Sequence, residues 1–132
     1  MKKMRILHVG NHTVPCIGGI ENVIWHVASA QAREGHTVRI LVFDTDTTGK
    51  EKFLSHEKKE DVEIIRIPQH GFTFYRIPSP SRFLAELKKV DIVHIHGINA
   101  WMDVACVLKP FHSAKIIVNT HGGFFHTPQR KG

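Results

Sequence analysis

Apolar positions along this chain recur with two alternating periods. Arg5-Ile-Leu-His-Val-Gly10 is a short aliphatic run closed by glycine, and it predicts a buried first strand. Asn11 to Gly19 is rich in turn formers and reads as a loop. Ile20, Val23, Ile24, Val27 and Ala28 then fall on one face of a helix that runs from Ile20 to Arg33. Gly35 is placed to end that helix with a left-handed cap. Val38–Phe43 predicts a second strand, and the charged stretch Glu51–Lys59 a short surface helix. Val62–Ile67 is a third strand, stopped by Pro68. Gln69–Pro80 reads as irregular, with prolines at 68, 78 and 80. Ser81–Lys89 is helical, Asp91–His96 a fourth strand closed by Gly97, Asn99–Leu108 a helix stopped before Pro110, and Lys115–Thr120 a fifth strand.

Strands separated by helices imply right-handed β-α-β crossovers. The expected fold is α/β, a Rossmann-like doubly wound parallel sheet of about five strands in a single domain over residues 1–132. The pattern stops just after the fifth strand, where such a domain normally adds another covering helix, so the domain reads as incomplete.

Composition narrows the class without naming a ligand. With 42% hydrophobic residues, 132 positions can bury a core, and 23% charged residues argue against wholesale disorder. The net charge of +6 suits phosphate-bearing ligands or an anionic membrane surface. Its cations are scattered rather than striped, so no nucleic-acid partner is expected. Cys16 and Cys106 stand 90 residues apart and read as reduced thiols of a cytoplasmic protein. The apolar run after Met1–Arg5 is too short for a signal peptide, and no run approaches a membrane span.

Ligands of open parallel sheets bind at the carboxyl ends of the strands. Three features gather there. Pro15-Cys-Ile-Gly18-Gly19-Ile-Glu21 puts two glycines at a helix start, where exposed amides and the helix dipole favour an anion. It matches neither the dinucleotide fingerprint nor the P-loop, and a tight loop needing glycine only for its backbone angles is the other reading. His94 and His96 lie two apart on a strand and so share a face. Such a pair can bind a metal, with His121 and His126 as further ligands, in a metal-dependent hydrolase. Against that, no Asp or Glu follows Asp103, and histidines satisfied by hydrogen bonds are the plainer account. Thr120-His121-Gly122 puts a histidine at a strand tip, able to meet a sugar hydroxyl or a phosphate oxygen. Trp25, Phe43, Phe83 and Trp101 are expected in the core, and Arg82, Lys88 and Lys89 in solvent.

Taken together and in order, these pieces resemble the N-terminal domain of the family-4-like, retaining glycosyltransferases of the GT-B fold. The carrying residues are Arg5–Gly10, Pro15-x-x-Gly18-Gly19-x-Glu21, Arg33-Glu-Gly-His-Thr-Val38, Asp91-Ile-Val-His-Ile-His-Gly97 and Thr120-His-Gly122, spanning residues 5 to 123. The resemblance implies two Rossmann-like domains facing each other across a cleft. The N-terminal one holds a glycan or lipid-linked acceptor, and the C-terminal one holds the nucleotide-sugar. Gly18 and Gly19 map onto the loop that reaches the donor diphosphate. His121 maps onto the catalytic-site histidine that contacts the transferred sugar. Glu21, His96, Gly97 and Gly122 map onto the sugar and acceptor side. The resemblance implies hexose transfer with retention of configuration, no metal or other cofactor, and peripheral contact with the inner membrane face. The C-terminal donor-binding domain, with its Glu-x7-Glu pair, is absent from the 132 residues. The chain therefore reads as a fragment or truncated reading frame, inactive by itself. A stand-alone Rossmann-like module, binding a phosphate-bearing ligand or a partner subunit, is the alternative.

Overall fold

The structure, a computed structural model, describes residues 3–11, 19–45, 53–72, 75–97 and 100–119, and of 19–21, 69–72 and 75–76 the backbone alone. In chain order the elements are β1 (Arg5–Val9), α1 (Gly19–Arg33), β2 (Thr37–Phe43), β3 (His56–Lys59), β4 (Val62–Ile67), β5 (Gln69–Phe72), β6 (Tyr75–Pro78), α2 (Pro80–Leu87), β7 (Ile92–His96), α3 (Ala100–Val107) and β8 (Lys115–Asn119). A 3-10 turn at Lys109–Phe111 joins the last two.

The main sheet has six strands in the order β3-β4-β2-β1-β7-β8. Five run parallel, and β3 pairs antiparallel with β4 at one edge. Alternation along the parallel strands sends side chains to two different cores, as the pleat requires. Leu7, Val9, Leu41, Phe43, Ile65, Ile67, Val93 and Ile95 meet α2 and α3 through Phe83, Leu87, Trp101 and Ala105. Val38, Ile40, Val42, Val62 and Ile64 meet α1 through Ile24 and Ala28. The sheet is therefore covered on both faces, as the doubly wound reading expects. Trp101 is wholly buried between Phe43 and Phe83, ring centroids 4.9 and 5.0 Å away. Its indole N–H donates to Asn11 Oδ1 at 3.2 Å, which satisfies the ring's one polar atom. Trp25 is only partly buried and lies beneath Lys59 Nζ, 5.3 Å from the ring centroid.

α1 ends as Gly35 predicts. Gly35 has φ 99°, its N–H bonds Ala32 O at 3.0 Å, and the His36 N–H bonds Gln31 O at 3.2 Å. Those two bonds close a Schellman motif.

Two expectations are corrected. Within Glu51–Lys59, the described residues 53–59 form no helix: His56–Lys59 is the strand β3. Glu60 and Asp61 both adopt positive φ, 50° and 67°, which turns the chain back in two residues so that Lys59 pairs with Val62. Arg66, 3% exposed, anchors the strand by an ion pair with Glu57 at 2.8 Å and a bond to Leu54 O at 3.1 Å. Gln69–Pro80 is not irregular either. β5 and β6 form an antiparallel ribbon in which Gln69 pairs with Pro78, and α3 packs against β6. The main sheet thus keeps the five parallel strands expected and gains β3 as an antiparallel edge, while β5–β6 forms a sheet of its own.

The amino ends of the strands carry ion pairs. Arg39 of β2 bonds Glu63 of β4 and Glu86 of α2, the latter at 2.8 Å. Arg5 meets Asp91 at 2.8 Å on the surface.

Candidate functional site

The chain leaves β1 toward β2 on one side and returns to add β7 on the other. The strand order thus reverses between β1 and β7, the position where open α/β sheets form a ligand crevice beyond their carboxyl ends. At that edge stand Gly10 and Asn11 after β1, His96 and Gly97 at the end of β7, and Asn119 at the end of β8.

The packing there is tight. A Cβ on Gly10 would lie 2.7 Å from Ile24 Cδ1 and 3.9 Å from both Cβ and O of His96. Glycine at position 10 leaves room for Ile24 of α1 over the tip of β1, while His96 of β7 stands at ordinary contact distance. Gly97 has φ 97°, a left-handed conformation that turns the chain out of β7, and its N–H donates to Asn119 O at 2.7 Å. The Asn11 carbonyl accepts from Phe43 N at 3.1 Å, tying the β1 exit to β2.

Beneath the edge lies a group of three histidines. His8 of β1 is registered opposite His94 of β7, so His8, His94 and His96 project from one sheet face, the α1 side. His8 Nδ1 is 2.9 Å from His96 Nε2, and His8 Nε2 is 2.6 Å from Gln31 Oε1 on α1. The His94 and His96 rings stack with centroids 4.2 Å apart and planes 19° apart. His8 and His96 are 0% and 1% exposed. Burial pushes the His8 imidazole down to about 4; His94 adds to that effect and the Gln31 bond opposes it.

Each of the three rings offers a nitrogen within 4.8 Å of the others, a spacing that invites comparison with a metal centre. The ring planes argue otherwise. Coordination requires in-plane lone pairs that converge on one ion at about 2.0–2.1 Å. Nearly parallel stacked rings send theirs side by side. As arranged, His8 bridges His96 and Gln31 by hydrogen bonds, and His94 stacks on His96 with its buried Nε2 making no hydrogen bond among the described residues.

Of the residues expected at the site, His96 and Gly97 stand at the crevice. Gly19 opens α1, and Glu21 lies in its first turn. Gly18, His121 and Gly122 lie outside the described residues, as do Cys16 and His126. The sequence reading missed His8, Gln31 and Gly10. A histidine inside an apolar strand was the available signal for His8, but its meaning depends on a register with β7, 86 residues further on. Gln31 continues the α1 face of Ile24 and Ala28 at helical spacing, where a polar residue signals a buried partner. Among the described residues, no helix is long and apolar enough to cross a membrane.

Comparison with known proteins covers nearly the whole chain. It is 39% identical over 126 residues to the GDP-mannose:cellobiosyl-diphosphopolyprenol alpha-mannosyltransferase of Xanthomonas campestris, across 94% of this chain and 33% of that protein. It is 31% identical over 126 residues to the protein of the same name from Komagataeibacter xylinus, across 94% of this chain and 31% of that protein. The chain spans about a third of the length of the curated relatives it matches. Residues 17–132 match the family described as Glycosyltransferase Family 4. With a doubly wound sheet whose crevice opens between β1 and β7, and a family match running from residue 17 to residue 132, the chain belongs to Glycosyltransferase Family 4.

Proposed function

We propose that this chain forms the acceptor-side, N-terminal half of a retaining mannosyltransferase, which moves a hexose from a nucleotide-sugar to a lipid-linked glycan. The observation that carries this is the 39% identity to the Xanthomonas campestris protein over 94% of the chain. That protein's name gives GDP-mannose as donor and a cellobiosyl-diphosphopolyprenol as acceptor, and both are taken as the substrates of the whole protein to which this chain corresponds. A hydroxyl oxygen of the acceptor glycan forms a bond to the anomeric carbon of mannose. The bond from that carbon to the β-phosphate oxygen breaks, GDP leaves with the electron pair, and the hydroxyl proton passes to the departing phosphate.

Charge develops on the leaving diphosphate, so the site needs fixed positive potential there. The 15-residue helix α1 begins at Gly19, just past the crevice, and the amides of Gly18 and Gly19 at its N-terminus are assigned that task without a metal. His121 is assigned to the transferred sugar, and Glu21, His96, Gly97 and Gly122 to the sugar and acceptor side. A polyprenol-linked acceptor resides in a membrane, and the +6 net charge supports peripheral contact with the anionic cytoplasmic face.

The test is a chimera in which this chain replaces the matching third of the Xanthomonas campestris relative. It is assayed for transfer of labelled mannose from GDP-mannose to cellobiosyl-diphosphopolyprenol. The expected outcome is an α-linked product from the chimera and none from the 132-residue chain alone. A folded chimera without transfer overturns the substrate assignment. Transfer by the chain alone overturns the half-enzyme reading.

A further inference from the structure

We propose that the side-chain amide of Asn11 donates a hydrogen bond to a hydroxyl or ring oxygen of the acceptor glycan, and that Trp101 sets the direction in which it donates. The glycan rests on the transferase reading; the direction of the amide rests on the described geometry alone.

Asn11 follows Gly10 at the carboxyl end of β1, beside the point where the strand order reverses. The strand's period of two puts it on the face of Leu7 and Val9, the side covered by α2 and α3. Two bonds hold the residue. Its carbonyl accepts from Phe43 N at 3.1 Å, and its Oδ1 accepts from the Trp101 indole at 3.2 Å. An indole nitrogen only donates, so it has to meet the oxygen of the amide and not the NH2 group. Turning the amide over would set donor against donor. The ring has no room to yield, since Trp101 is wholly buried with Phe43 and Phe83 against it. Nδ2 and its two protons are therefore turned away from the indole. Asn11 itself is half-buried. Among the described residues, the buried side-chain polar atoms without a hydrogen bond are Thr45 Oγ1 and His94 Nε2, and Asn11 Nδ2 is not one of them.

An amide NH2 donates and carries no charge, which suits the lone pair of a sugar oxygen. The crevice then has two unlike walls. α1 packs on the opposite sheet face through Ile24 and Ala28, and it starts at the glycines assigned to the diphosphate. The α3 wall offers a neutral donor braced on an aromatic core. Nucleotide-sugar and glycan are thus received on opposite sides of the β1 tip. Asn11 is the binding residue in this scheme, and Trp101 is a positioning residue that acts only through it.

The discriminating variant is Asn11→Asp, which keeps an oxygen for the indole and replaces both donors with a second acceptor. Asn11→Ala removes oxygen and donors together. In the chimera, each is expected to raise KM for cellobiosyl-diphosphopolyprenol at least about threefold to tenfold, the loss of one hydrogen bond, and to leave KM for GDP-mannose unchanged. A raised KM for GDP-mannose alone overturns the proposal, as do two unchanged values. A readout that needs no transfer is NMR of the 132-residue chain with 15N in its asparagine and tryptophan side chains. The Asn11 NH2 signals are identified by their loss in Asn11→Asp. Cellobiose is expected to shift them, and sodium pyrophosphate to leave them in place. The Trp101 indole proton is expected to keep its hydrogen-bonded position in Asn11→Asp and to lose it in Asn11→Ala. A shift with pyrophosphate alone, or with neither probe, overturns the proposal. An indole proton unmoved in folded Asn11→Ala overturns the role of Trp101. If Asn11→Ala does not fold, Asn11→Asp and the two titrations decide. A folded, unaltered chimera that transfers nothing removes the transferase reading, whereas the cellobiose titration judges Asn11 by itself.

Discussion

Burial keeps His8 neutral in the fold, and the sign of the consequence can be worked out. Its imidazole is pushed down to about 4, whereas an unfolded chain returns it to about 6.5. Above that value neither state binds the proton, and His8 adds no pH dependence. Between 6.5 and 4 the unfolded chain takes up a proton that the folded chain refuses, so stability falls with pH. At about 1.4 kcal/mol per pH unit, the loss over that window is about 3 kcal/mol. Glu63 acts in a different range. The His56 hydrogen bond, with help from Arg39, holds its carboxyl below the usual range, so its contribution is lost as pH falls through that lowered value. The part of the decline from pH 6.5 to about 4 that a His8 variant loses therefore reports on His8. Denaturant melts of the chain and of His8→Gln across this range should show their stability difference shrinking as pH drops, by about 3 kcal/mol by pH 4. A constant difference would refute the assignment. At this scale the sequence was only partly legible. The facing of His94 and His96 follows from a strand's period of two. The company of His8 and Gln31 follows from a strand pairing and a helix packing that no local pattern states.

For single elements, Gly35 makes a direct prediction. Its φ of 99° is a conformation that a β-carbon resists. Gly35→Ala should lower stability by about 1 kcal/mol, read from the denaturant midpoint at unchanged slope. A Cβ there would also press on Lys3 Nζ, but a lysine tip moves away at small cost, so the backbone strain decides. An equal or higher midpoint would overturn this account of the cap. The cap was legible because the apolar period stops and glycine follows at once. β3 was not. Glu51–Lys59 is polar and charged, with side chains suited to a helix surface. Strand pairing with β4, a left-handed Glu60-Asp61 turn and the buried Arg66 override that preference. The β5–β6 ribbon was hidden for a related reason. Its prolines argue against a central strand, and β6 is an edge strand in which Pro78 is tolerated.

Across the whole molecule, alternating periods sufficed to give parallel strands, crossovers and the crevice edge, because each buried strand is a local apolar run. They could not give strand order, which depends on packing between distant segments. That order sets local stability. β1 and β2 are bonded on both sides, whereas among the described residues β8 pairs with β7 alone and Ile117 is 40% exposed. Hydrogen exchange followed by mass spectrometry should release the amides of β8 before those of β1 and β2. Simultaneous release would mean that the sheet opens as one unit.

The two rims of the sheet are unlike. β3 ends it with His56-Glu-Lys-Lys59, four residues whose charges discourage any neighbour from docking. β8 ends the described sheet with Lys115-Ile-Ile-Val-Asn119, a run that welcomes one. Enlargement of this architecture is consequently one-way traffic. Of the two described edges, β8 is the less charged and β3 the more charged, so backbone pairing with a further strand costs less beside β8.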